Sequence, residues 1–263
     1  MTSETPPDSP PRSARRSLWR AAAPWLVAAA ALAWLLHRLP FAAVRVALAT
    51  GPWPLLAAYV VLELALILLA DAWAASVALR LSGGSLPYWR VVAMRGATYL
   101  GTVIHPLAGQ GSFGWFLARA GQGAWSAGGV VLLLFVTQGL ALVVAGAFGV
   151  AVAPAWLRQP ALPLLSLLVL GLLIYLALLT RPPRRLARLP LLQPLFAAGV
   201  RGHLIAVAAR LPHVALLVVL MWGQLRIWGI PVPLLAGLAL TPLVLFVAAL
   251  PITPAGLGTV QAL

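Results

Sequence analysis

Two acidic side chains lie inside a long apolar run, and their type and position make them the first candidates for chemistry. Glu63 and Asp71 fall between Trp53 and Leu79, in a stretch that Arg80 closes. A carboxylate in a membrane interior is energetically costly or stays protonated, so acids at such positions mark functional sites by default. On one helix they would lie about 80° apart around the axis and about 12 Å apart along it. The structural alternative is an ion pair inside the bundle with Arg95, Arg119 or His105.

A glycine-rich segment after His105 is the second candidate site. Residues 106–112 read Pro-Leu-Ala-Gly-Gln-Gly-Ser, and residues 254–259 read Pro-Ala-Gly-Leu-Gly-Thr. Proline followed by Gly-x-Gly-Ser/Thr therefore occurs twice, and the first glycines of the two copies are 147 residues apart. Paired Gly/Pro interruptions in two halves of a chain are typical of transporter sites. Chance is the alternative, because the chain has 23 glycines and 23 prolines.

The chemistry of these segments favours an anion. Glycine permits positive φ and close approach of two backbones, and a following half-helix offers free N–H groups to an anion such as a lipid phosphate. No lysine follows the glycines, which excludes a Walker-type loop. His105 could bind phosphate or relay a proton near neutral pH, and a packed, hydrogen-bonded histidine is the alternative. The pattern therefore predicts an anionic headgroup site.

Composition restricts the class of protein. Of 263 residues, 62% are apolar and 8% charged, against about 25% charged in soluble domains, and this excludes a water-soluble enzyme. The absence of cysteine excludes disulfides and thiolate chemistry. The net charge of +14 comes from arginine alone and fits loops on anionic lipid, so we expect no nucleic-acid partner.

The elements that must position these residues are apolar helices. We expect an all-α, polytopic transmembrane bundle over residues 21–263, with about six full spans plus re-entrant Gly/Pro-broken segments, after a disordered cytoplasmic tail at residues 1–20. Leu195 to Arg210 is expected to form an amphipathic surface helix. The expected spans cover residues 21–36, 53–79, 132–153, 162–180, 214–230 and 234–250.

Arginine counts decide the topology of Gly96 to Leu117, which is apolar but broken by glycine and proline. If it enters and leaves on one side, 14 arginines are cytoplasmic and 4 are not; if it crosses once, the count is 9 against 9. Only the first agrees with the positive-inside rule. We therefore predict a re-entrant hairpin, with limbs of about ten residues that reach about 15 Å.

Pro251 to Gln261 resembles a segment of the lysylphosphatidylglycerol synthase transmembrane-region family, also called flippase-like integral membrane proteins. Tyr99 to Gly109, followed by Phe116, Leu117 and Arg119, resembles the first motif region of that family. The resemblance implies a multi-pass protein of the prokaryotic plasma membrane, with a cytoplasmic N-terminus by the arginine count. It also implies translocation of phospholipid between leaflets, since the best understood members move aminoacylated phospholipid.

Two glutamines depart from the family pattern. Gln110 and Gln261 stand where the family often has acids, and Ala255 replaces a frequent glycine. Glutamine can hydrogen-bond a headgroup but cannot neutralise a lysyl ammonium, which argues against a cationic lipid. No aminoacyl-transferase domain is attached, so we do not expect synthase activity. Because the chain ends at Leu263 in a new apolar run, we expect it to be shorter than the family's full length.

These observations favour a flippase-like lipid translocator whose partners are membrane lipids with anionic headgroups. Its candidate substrate-binding residues are Glu63, Asp71, His105, Gly109, Gln110, Gly111, Pro254, Gly256, Gly258 and Gln261. One alternative is an intramembrane lipid-modifying enzyme, with Glu63 or Asp71 as base and His105 as acid. The other is a non-catalytic membrane partner of a glycosyltransferase or synthase, docked through residues 181–210.

The remaining polar residues are expected to be structural. His37, His203 and His213 are predicted at membrane interfaces without a special role, and Gln138 and Gln224 are predicted to bond neighbouring helices. Histidines and carboxylates nowhere have the spacing of a metal site. We therefore expect no metal and no cofactor.

Overall fold

A computed structural model describes residues 26, 29, 30, 33, 37, 40–104 and 106–249, and all regular secondary structure within these residues is α-helical. The predicted all-α class is confirmed. The expected tail, most of the first expected span, His105 and the C-terminal copy of the glycine motif lie outside the described residues.

The helices differ greatly in length. They are α1 (Phe41–Thr50), α2 (Trp53–Leu81), α3 (Tyr88–Ile104), α4 (Pro106–Arg119), α5 (Ala124–Val152), α6 (Ala155–Thr180), α7 (Arg184–Ala187), α8 (Gln193–Ile227) and α9 (Leu234–Ala249). Within the described part, α2, α5, α6 and α8 are long and apolar enough to cross a membrane. At about 1.5 Å per residue, α9 with its 16 residues is shorter than a usual span.

Large apolar side chains remain uncovered on the span-length helices. Leu167, Leu170 and Leu173 on α6 are each more than half exposed, and Val61 on α2 is also more than half exposed. Such surfaces are stable only against lipid, since water would oppose the exposure of whole apolar faces. The chain is therefore a multi-pass membrane protein.

Helices α3 and α4 form the predicted hairpin. Thr102 on α3 lies against Gly109 on α4, and Arg95 lies over the ring of Phe113 further from the turn, so the limbs run antiparallel. Gly84, which precedes the hairpin, lies beside Gln122, which follows it. The hairpin therefore returns to the end of the bundle where it started. Its limbs have 17 and 14 residues, which is longer than the ten that we predicted.

Helix α8 contradicts the prediction of a separate surface helix at residues 195–210. It runs from Gln193 to Ile227, with one non-helical residue at Gly199 (φ 56°). Its predicted surface part is largely covered, because His203, Ala206, Ala209 and Arg210 are all buried. Polar residues that repeat on one helical face can meet either water or a buried polar cluster, and here they meet the interior.

The main core joins the hairpin to three other helices. Phe113 and Leu117 of α4 pack with Ala75 of α2, Leu133 of α5 and Leu195 of α8. A second cluster holds α5 against α8 through Leu142 and Val218. Alanine on α2 leaves room for the neighbouring helices, so one face of the hairpin packs closely against the bundle, while Leu100 and Trp115 on its other face stay exposed.

Candidate functional site

Asp71 lies where α2 becomes buried. From Trp53 to Ala70 no residue of α2 is fully buried, whereas Asp71 is only 1% exposed and the helix stays mostly buried beyond it. The hairpin causes this change, because the Tyr88 hydroxyl at its start donates to the carbonyl oxygen of Leu69 at 2.8 Å. A carboxylate at such a position needs hydrogen-bond donors from neighbouring helices.

Arg95 on α3 supplies the first donors. Its Nε donates to Asp71 Oδ2 at 2.6 Å, and its Nη2 lies 2.5 Å from the same oxygen. Its Nη1 points to Gln110 Oε1 of α4 at 3.5 Å, and its guanidinium stands 4.9 Å from the centre of the Phe113 ring. Both limbs of the hairpin thus hold Arg95 against α2.

Arg210 on α8 supplies the second donor, through a hydrogen bond from Nη1 to Asp71 Oδ1. The Tyr99 hydroxyl adds a longer bond to Oδ2 at 3.4 Å. His213, one turn after Arg210, is buried and donates through Nδ1 to the Ile67 carbonyl at 3.3 Å. Three helices therefore converge on one carboxylate. We call Asp71, Arg95 and Arg210 the charged cluster.

The charged cluster is not electrically balanced. Arginine stays protonated in proteins, so two positive charges meet one carboxylate. Arg95 is 7% and Arg210 3% exposed. Within the described residues, their two contacts with Asp71 are the ion pairs present. The Nε of Arg210 is buried and has no hydrogen-bond partner among the described groups. One positive charge and one N–H donor are left over in the interior.

Glu63 has a different environment in the other half of α2. It is partly buried and accepts a hydrogen bond from Gln224 Nε2 of α8. Nearby, the Tyr59 hydroxyl donates to the Leu220 carbonyl at 2.9 Å, and Trp53 meets Trp228 edge-on with ring centres 5.4 Å apart. The structure thus does not bring Glu63 and Asp71 together.

Gly109 of the first motif acts through close approach, not through backbone conformation. Gly109 is buried against Thr102, and a Cβ there would lie 3.0 Å from the Thr102 backbone nitrogen. Gly111 faces open space. The segment is regular helix from Pro106, and among the described glycines those with positive φ lie elsewhere, so the expected irregular backbone at these glycines is wrong.

Of the other predicted site residues, Gln110 accepts a long hydrogen bond from Arg95 of the charged cluster. Gly109 packs against Thr102 of α3. His105, Pro254, Gly256, Gly258 and Gln261 lie outside the described residues. His203 and His213, predicted at membrane interfaces, are both buried among the helices. His203 bonds the Tyr175 hydroxyl and the Gly199 carbonyl, each at 2.7 Å. Gln224 does bond a neighbouring helix, as predicted.

Arg210 and Tyr99 were missed as site residues. The sequence holds a signal for Arg210 in the spacing of polar residues on α8. His203, Arg210 and His213 stand seven and three residues apart and so share one helical stripe. Three polar residues on one stripe of an otherwise apolar segment indicate either an exposed face or a buried polar contact. The three partners considered for the acids, Arg95, Arg119 and His105, all lie in or beside the hairpin, so α8 was not considered as a source of a cation.

The bonding of the charged cluster argues against base catalysis. Both oxygens of Asp71 accept hydrogen bonds from arginine, whereas a general base needs a carboxylate that can reach the proton of its substrate. Among the described residues no group of three histidines or acids could hold a metal ion.

Comparison with known proteins places the chain in a family. A search of curated proteins and a search of solved structures each gave no match. The sequence model described as "Lysylphosphatidylglycerol synthase TM region" matches residues 21–263, which is nearly the whole chain and includes every helix given above. The suspected resemblance is thereby confirmed: this multi-pass membrane protein belongs to the lysylphosphatidylglycerol synthase TM region family.

Proposed function

We propose that this protein translocates lipids between the leaflets of a membrane, in the manner of a flippase. The observation that carries the proposal is the hairpin α3–α4, which starts and ends on one side and brings charged groups into the bundle interior. A lipid headgroup crosses a bilayer only if polar groups replace its water on the way. Arg95, Gln110 and Arg210 are such groups, and lipid-exposed helices beside them leave the acyl chains a place in the bilayer.

The bonding of Asp71 supports this proposal over a lipid-modifying enzyme. That alternative needs a free base, and Asp71 is already held by two arginines. Glu63, on another part of α2, accepts a hydrogen bond from Gln224 of α8. Asp71 therefore does not stand free for proton abstraction.

We place the protein in a prokaryotic plasma membrane with its N-terminus in the cytoplasm. When the buried Arg95 and Arg210 are removed from the count, 12 arginines lie on the cytoplasmic side and 4 on the other. This asymmetry remains in favour of the orientation that we predicted. Membrane lipids are the proposed partners.

Reconstitution tests the function directly. The protein is placed in liposomes with fluorescent phospholipids of anionic, zwitterionic or cationic headgroup, and the fraction that moves between leaflets is followed with a membrane-impermeant quencher. We expect faster movement of the anionic lipid than in protein-free vesicles. If the rate for every headgroup class equals the rate in protein-free vesicles, the proposal is rejected.

Two glycine variants provide a matched control on the hairpin. Gly109→Leu forces a side chain against Thr102, whereas Gly111→Leu places the same side chain in open space two residues away. We expect translocation to be lost in the first variant and kept in the second. Equal activity of the two would show that the closed hairpin is not needed for transport.

A further inference from the structure

The charge of the cluster identifies a class of ligand. We propose that Arg95 and Arg210 form a binding site for one phosphate group, and specifically for the phosphodiester of an anionic phospholipid. This inference rests on the proposed function, because it names the part of the lipid that the protein would hold.

The first argument is the surplus charge. Two arginines and one aspartate leave one positive charge inside the bundle, where an uncompensated ion is strongly destabilising. Asp71 is the acid that pairs with them within the described part of the chain, and Glu63 is held elsewhere by Gln224. A singly charged anion would balance the cluster, and a phosphodiester carries that charge.

The second argument is the unpartnered donor. Arg210 Nε is buried without a hydrogen-bond partner among the described groups, while Nη1 of the same side chain is bound to Asp71. Buried donors are rarely left unpaired. The guanidinium presents its N–H groups in a planar fork that matches phosphate oxygens, so a phosphate oxygen suits the unpaired Nε better than a neutral acceptor does.

The third argument is the route. Arg95 reaches Gln110 at the long distance of 3.5 Å, and Gln110 is only partly buried. Tyr99, which bonds Asp71 at 3.4 Å, is also partly covered. These weaker contacts lie on the hairpin limbs, so a headgroup can exchange with them without first breaking the short bonds of Asp71 to its arginines.

Binding is measured on the full chain in micelles of a non-ionic detergent. The probes are dihexanoyl phosphatidylglycerol, which is anionic, dihexanoyl phosphatidylcholine, which carries the same phosphate with a cationic group, and inorganic phosphate. Phosphorus NMR line broadening reports bound phosphate. We expect saturable binding of phosphatidylglycerol at one site, and binding of phosphatidylcholine that is weaker by about tenfold.

Three variants locate the site. Arg210→Gln and Arg95→Gln each leave a neutral pair with Asp71, and each should weaken phosphatidylglycerol binding by about tenfold or more. Arg201→Gln removes the same charge from an exposed position on α8 and should bind like the natural protein. Two independent arginine variants are used so that a folding defect in one, seen by gel filtration, leaves the other to decide.

Several outcomes would overturn the assignment. These are no saturable phosphatidylglycerol binding, equal binding of phosphatidylcholine, or equal binding by the Arg201 variant and a folded Arg95 or Arg210 variant. Binding of inorganic phosphate alone would overturn the lipid part. Binding without movement in liposomes would reject transport only, whereas movement that survives both arginine variants would reject the site only.

Discussion

Glu63 and Asp71 lie on the same helix about two turns apart, and the packing around them differs in kind. Around Asp71, which is 1% exposed, Arg95 of the hairpin and Arg210 of α8 both reach the carboxylate. Around Glu63, which is only partly buried, α8 offers the amide of Gln224. The first acid is an essential counter-ion of the interior, and the second is a half-buried polar contact. The hairpin, not the helix that bears the acids, makes the difference.

The largest effect is expected from Asp71→Asn, which keeps the shape of the side chain and removes its charge. Two buried guanidinium groups would lose their counter-ion, which should lower the free energy of unfolding by about 3–5 kcal/mol. Unfolding in mixed micelles, followed by the fluorescence of the 11 tryptophans, measures this loss. A loss below about 1 kcal/mol would mean that the cluster behaves like an exposed ion pair.

A smaller effect is expected from Gly109→Ala, which tests how tightly the hairpin must close beside Asp71. The new methyl group would press on Thr102, and such overpacking costs about 1–3 kcal/mol. Gly111→Ala is the matched control, because the added methyl meets nothing within 4 Å and alanine favours helix by about 1 kcal/mol. The same unfolding assay should give opposite signs, and a shared sign would contradict the close approach.

The smallest effect is expected from Glu63→Gln. The new amide can still accept a hydrogen bond from Gln224, and no described cation loses its partner. The free energy of unfolding should change by less than about 1 kcal/mol. A loss as large as that of Asp71→Asn would show that Glu63 balances a buried charge, and the contrast between the two acids would disappear.

Much of this arrangement could be predicted from the sequence. The helical class, the hairpin and Arg95 as a candidate partner of Asp71 follow from apolar runs, arginine asymmetry and a short choice of cations. The contacts of Glu63 could not be predicted in this way, because both acids sit in the same apolar run. Which of them is covered depends on where the hairpin packs, and that is a tertiary contact.

Arg210 shows why the other partner could not be predicted. The stripe of His203, Arg210 and His213 fits a helix lying on the surface as well as one facing a buried carboxylate, since periodicity reports a shared face and not its neighbour. Gly109 and Gly111 pose the same problem. Both are glycines on one short helix, yet only Gly109 meets another backbone, and residue spacing alone does not reveal which one does.

Gly199 gives α8 a mechanical property. It joins a short leg, anchored through Leu195 in the main core, to a long arm that carries Arg210 eleven residues away. At about 1.5 Å per residue this arm is roughly 16 Å long, so a swing of about ten degrees at Gly199 would displace Arg210 by about 3 Å. A displacement of that size equals the length of one hydrogen bond, and it would require Val218 of the arm to slide against Leu142 of α5, because that contact holds the arm in place.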